Sequence, residues 1–218
     1  MLGLIEWQKT NLWTIPLICS VCLTFWQTTD LLTLHTAEAL LNYLAAGLIA
    51  LLFVRGKRQV TRSDHVFTII WVVYVMVLHE FVTYVPVFSE QVIHGSFEVK
   101  HTLYNLNLHP FATIQLTFNR QVWLPLMVKQ IVGNVLLFIP FSYLILRLGI
   151  VRKAWQAFLV SILVTCLIET LQFILSYIRV VDRSTDIDDV LLNTLGAVIG
   201  ILVYFIFHYK SRISKNFN

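Results

Sequence analysis

Apolar residues along the chain fall in long runs, and the polar residues between them gather in short clusters. The runs cover residues 11–29, 39–54, 66–88, 130–146, 154–178 and 190–207, and their only acidic or histidine interruptions are His79, Glu80 and Glu169. A helix that crosses a bilayer needs about 20 mostly apolar residues, and each run is of that order. The pattern predicts an all-α protein, a polytopic transmembrane helix bundle of six spans. If the first run only lies on the membrane, five spans remain and the N-terminus moves outside. Residues 1–28 resemble a signal peptide loosely, with Lys9 before the apolar stretch but no small-residue cleavage site, so the segment is read as a retained first helix.

Composition strengthens this picture. Of 218 residues, 57% are hydrophobic and 13% charged, whereas soluble domains carry about 25% charged residues. An ordinary soluble enzyme, a disordered chain and a disulfide-stapled secreted domain are excluded. No polar stretch is long enough to bury a second, extramembrane core. The net charge of +4 does not indicate nucleic acid, because Lys and Arg sit at the ends of apolar runs. With both termini in the cytoplasm, eleven Lys and Arg fall inside, among them the cluster Arg55, Lys57, Arg58, Arg62, and five fall outside: Lys100, Arg120, Lys129, Arg179 and Arg183. The positive-inside rule selects that orientation. Cys19, Cys22 and Cys166 all lie within apolar runs and read as small packing residues, with no disulfide framework.

The orientation assigns a depth to each polar residue within the runs. Charge at the bilayer centre is costly, so such residues need a reason. His79 and Glu80 fall in the outer half of the third span. Gln130 and Asn134 open the fourth, Glu169 and Gln172 close the fifth, and Asp189 and Asn193 open the sixth. All belong to the outer leaflet. Spacings of three or four place each pair on one helix face. The loop at 179–189 adds Arg179, Asp182, Arg183, Asp186 and Asp188 above them. The expected arrangement is a polar pocket open to the outside, with an apolar floor.

The other outer loop, 89–129, is too long for a simple connector, and its stretch 111–127 is apolar enough to lie in or re-enter the interface. The acids at 186, 188 and 189 could hold a hard cation, but they lack EF-hand spacing. They could equally pair with Arg183 and cap the last helix. His94, His101 and His109 are too far apart to read as a zinc site. No metal site and no cofactor are expected. Gly196 and Gly200 allow close helix approach, and Pro140 should kink the fourth span.

Several segments together resemble the VanZ-like membrane proteins: 107–111 (NLHPF), 133–141 (GNVLLFIPF), 169–172 (ETLQ) and 183–196 (RSTDIDDVLLNTLG). Ser142 departs from the family, which commonly has Gly after the Pro-Phe pair. The resemblance spans roughly residues 66–208. It divides the chain into an N-terminal two-helix membrane segment (1–62), a VanZ-like membrane domain (63–209) and a short basic cytoplasmic tail (210–218). It implies a multi-pass protein of the cell membrane in Gram-positive type bacteria, linked to resistance to the glycopeptide teicoplanin. Its motif residues carry over onto Asn107, Asn134, Glu169, Gln172, Arg183, Asp186, Asp188, Asp189 and Asn193, the candidate ligand-binding residues.

Three functions remain open at this point. The pocket binds or shields a cell-envelope amphiphile, such as a lipid-linked wall precursor or a glycopeptide, with the lipid bilayer as the general partner. Alternatively, an intramembrane enzyme uses Glu169 or one of the aspartates as base to modify a lipid or wall-precursor headgroup. The third is a small transporter or flippase, although the inner halves of the spans hold no polar path.

Overall fold

The computed structural model describes residues 18–22, 34–54, 62–88, 90–95, 106–119, 124–181 and 183–216. Among them five helices are long and apolar enough to cross a membrane: Thr36–Val54, Ser63–Val82, Gln130–Arg147, Ala154–Tyr177 and Ile187–His208. The protein is an all-helical, multi-pass membrane protein. The expected first span, 11–29, lies outside the described residues except for 18–22, which are helical. The chain divides into two compact units, Met1–Ile93 and His94–Asn218.

The first unit contains α1 (Leu34–Val54), α2 (Arg62–Val82) and the single turn α3 (Glu90–Ile93). Helices α1 and α2 pack on each other. Ala39, Tyr43, Ala46 and Ala50 form a buried stripe on α1 at helical spacing, and Trp71, Val72 and Met76 are buried on α2. Small side chains along the stripe let a large one seat against the α1 backbone. The Trp71 indole N–H donates to the Ala50 carbonyl at 2.9 Å. On the opposite face Leu41, Leu48, Ile49 and Leu52 are exposed, as a lipid-facing surface requires.

The second unit runs β1 (Leu106–Asn107), α4 (Ala112–Asn119), α5 (Leu124–Arg147), α6 (Ala154–Tyr177), β2 (Thr185–Asp186) and α7 (Ile187–Asn216). Helix α5 begins at Leu124, six residues before the apolar run that announced it. Pro125 falls in its first turn, where a missing N–H leaves no bond unmade. Most of the stretch 111–127 is therefore helical, as α4 and the start of α5. Helix α5 also continues through Pro140. Near this point the Ser142 hydroxyl lies 3.3 Å from the carbonyls of Phe138 and Ile139.

Helix α6 is polar inside and apolar outside. Ala157, Ser161, Thr165, Glu169, Gln172 and Ser176 are buried on one face, while Leu159, Leu163, Leu167 and Leu171 are exposed on the other. In lipid, leucine gains nothing by leaving the surface, so close packing and hydrogen bonds decide which face turns inward. A Schellman turn ends the helix: Val180 N–H reaches Leu175 O at 2.9 Å and Arg179 N–H reaches Ser176 O at 3.1 Å. Arg179 takes the left-handed conformation (φ 57°) that this turn demands.

Helices α5 and α7 approach to backbone contact. A Cβ on Gly196 would overlap the Val135 carbonyl, and one on Gly200 would overlap both the Ile139 carbonyl and the Ser142 hydroxyl. Ser142, the residue that departs from the family pattern, thus packs directly on a glycine of α7. Both glycines pair with α5 residues 61 positions earlier in sequence, so the two helices run parallel and in register.

Candidate functional site

The site grows from the end of the second unit where α6 finishes and α7 starts. Asn193 Nδ2 donates to Thr165 Oγ1 at 2.8 Å, both side chains being buried. Helices α6 and α7 are antiparallel, so one turn further Asp189 stands level with Glu169. Asp189 and Asp186 both act electrostatically on the Glu169 carboxylate. From the third helix, Asn134 Nδ2 donates to Asp189 Oδ1. Among the described residues Asn193 Oδ1 is buried and accepts no hydrogen bond.

Above the helices the chain closes a small lid from two distant segments. β1 and β2 pair in parallel, Leu106 opposite Thr185 and Asn107 opposite Asp186. Side chains lock this register. Asn107 Nδ2 donates to Asp186 Oδ1 and to Thr113 Oγ1, each at 3.0 Å. Asp186 Oδ1 also accepts the Asp188 N–H at 2.9 Å, which makes Asp186 the N-cap of α7. The Asp186 N–H in turn donates to Glu169 Oε2 at 3.1 Å.

Asp188 does something different. Its carboxylate reaches back across the sequence to the start of α4. There it accepts the N–H groups of Phe111 at 2.5 Å, Thr113 at 3.0 Å and Ile114 at 3.1 Å. Three orphan donors of a helix N-terminus thus share one carboxylate, an arrangement that both hydrogen bonding and the helix dipole favour. Phe111 adopts a positive φ of 66° at this junction. Next to it, Ser176 holds the backbone of Arg183 from both sides, donating to Arg183 O at 2.8 Å and accepting Arg183 N–H at 3.0 Å.

A groove of about 340 Å³ opens beside this network. Leu106, Leu108, Cys166, Glu169, Thr170, Phe173, Thr185, Asp186, Ile187 and Val190 line it. Its walls are mainly apolar, with two carboxylate residues among them. The volume is within the range of small-molecule sites. Thr170 turns its hydroxyl back onto its own helix, donating to Cys166 O at 2.7 Å.

The first unit holds a second polar cluster. Asn42 uses its whole amide. Its Nδ2 donates to Glu38 O at 3.0 Å and Val85 O at 2.9 Å, and its Oδ1 accepts Val85 N–H at 3.1 Å and lies 2.9 Å from His79 Nε2. Glu38 accepts the Tyr84 hydroxyl and the Phe88 N–H, each at 2.9 Å. Burial pushes the Tyr84 phenol well above its ordinary range, and its bond to the Glu38 carboxylate adds to the effect.

All nine candidate residues lie in the second unit and none of their side chains is exposed. Asn107, Glu169, Asp186 and Asp188 form one bonded network, Asn134 joins Asp189, and Asn193 joins Thr165. Gln172 is buried on the α6 face that carries Glu169. Only Glu169 and Asp186 line the groove. Asp182 and His101 lie outside the described residues. Among the described residues no three His, Cys, Asp or Glu side chains converge on one metal position. Sequence reasoning missed Thr165, whose four-residue spacing to Ser161 and Glu169 was a readable signal. It also missed Glu38 and Asn42, which lie at the edge of an apolar run.

Comparison with curated proteins and with solved structures finds no match. The motif segments, the buried network they build and the α5–α7 contact all fall within residues 65–208, the stretch that matches the VanZ/LLP1 family model, and the chain belongs to that family.

Proposed function

We propose that the protein binds or shields a cell-envelope amphiphile in the groove on α6, at the outer leaflet, and so limits the access of teicoplanin-like glycopeptides to their target. One observation carries this reading: an apolar groove of about 340 Å³ whose wall includes the buried carboxylate of Glu169. Apolar walls suit a hydrocarbon chain, and a few fixed polar groups at one end suit a headgroup. The outward opening follows from the distribution of Lys and Arg. The hydrogen bonds of Asp186 and Asp188 support recognition over catalysis, because they hold backbone and amide N–H groups in place.

The test is a susceptibility assay in cells expressing the protein. Thr170→Trp places a bulky ring in the groove at an exposed position and leaves the Asp186 network intact. Teicoplanin susceptibility should return to that of cells lacking the protein, while the membrane level of the variant is unchanged. Full protection by this variant would end the reading.

A further inference from the structure

Resting on that groove, we propose that its occupant is an amphiphile headed by a primary ammonium, with the cation on Glu169 and Asp186 and the chain against Leu108, Phe173 and Val190. Charge complementarity decides the class. Among the described residues the lining contains two carboxylates and no Lys, Arg or His. Glu169 is 7% exposed. One of its oxygens accepts the Asp186 N–H, and among the described residues the other accepts no hydrogen bond. Asp189 acts electrostatically on the same carboxylate.

An anionic headgroup would bring like charge against this wall in a low-dielectric setting, where Coulomb energies are largest. A neutral alcohol would gain one ordinary hydrogen bond. A primary ammonium brings three donors and the opposite charge, and charge-assisted bonds to a carboxylate are about twice as strong as neutral ones. A quaternary ammonium has the charge but no N–H to give. The groove therefore selects by both charge and donor.

The experiment uses the full chain in a neutral detergent, with dodecylamine, dodecanol, dodecanoate and dodecyltrimethylammonium as probes. Native mass spectrometry gives relative affinity. Alkylation of Cys166 by N-ethylmaleimide, in a protein carrying C19A and C22A, reports occupancy of the groove. Dodecylamine should bind about tenfold more tightly than dodecanol and slow the alkylation most. Glu169→Gln keeps an acceptor for the Asp186 N–H and should bring amine and alcohol to within about twofold.

The ammonium assignment is overturned if dodecanol, dodecanoate or the trimethyl compound binds as well as the amine. It is also overturned if the amine preference survives Glu169→Gln. Both results leave the groove as an amphiphile site, whereas failure of every probe to protect Cys166 removes the groove reading itself. Should the Glu169→Gln protein not fold, the ranking of the four probes on the native chain decides.

Discussion

Asp188 shows how much one side chain can do at a distance. Its carboxylate accepts three backbone N–H groups at residues 111, 113 and 114, so it determines where α4 begins. Asp188→Ala should cost about 2–3 kcal/mol, since those donors are left without their acceptor. Asp188→Asn retains one acceptor oxygen and should cost about half as much. Thermal unfolding in detergent measures the loss, and faster amide exchange confined to residues 111–117 would locate it. Equal stability of Asp188→Ala and the native chain would contradict the capping role. This role was not legible in the sequence. The letters DIDD predict a capped helix, and Asp186 does cap α7, but nothing local says that the next acid, Asp188, serves a helix some 75 residues away. Asn42 was hidden for a related reason. Its partner is the backbone of Val85, and a backbone group leaves no mark in a sequence.

At the level of helices, α6 presents mainly small and polar side chains inward and leucine outward, the reverse of a soluble bundle. Helix ends were legible where apolar runs stop at charged clusters or glycine: α1 ends at Val54 and α5 at Arg147, as the runs predict to within a residue. The start of α5 was not, because residues 124–129 look like loop until the tolerance of a first-turn proline is considered. The two glycines of α7 were legible as a close-packing pair, though their partner helix was not. Alanine at a solvent- or lipid-facing helical glycine normally stabilises by about 0.5–1 kcal/mol. Gly196→Ala and Gly200→Ala should do the opposite, losing about 1–3 kcal/mol as α5 and α7 are forced apart. Gly133→Ala, with open space around it, should be neutral or stabilising. Melting temperatures of the three variants in one detergent check the contrast, and a stabilised Gly196→Ala would contradict the contact.

For the whole molecule, five described helices qualify as spans, and the charge bias predicts their direction. Cysteines placed at positions 153 and 184 report on opposite ends of α6. In intact cells, on a background lacking the native cysteines, a membrane-impermeant maleimide should label Ser184→Cys and spare Lys153→Cys, and lysis should expose the second. The reverse pattern would turn the protein over and place the groove on the cytoplasmic side. The apolar runs made the five described crossings readable, because bilayer thickness imposes a length that composition alone can meet. The meeting of Asn107 with Asp186 was not readable, since it depends on how three helices bring two loops together.

The parallel pairing of Leu106–Asn107 with Thr185–Asp186 has a consequence for biosynthesis. When synthesis reaches residue 186, four of the five described spans have already been made, and those four lack every partner contributed by Asp186, Asp188, Asp189 and Asn193. The polar network is therefore completed in a single late step, when the final segment inserts and its leading acids find a strand made nearly eighty residues earlier. Messages cut short before that point would yield proteins without the hydrogen bonds made by Asp186, Asp188, Asp189 and Asn193.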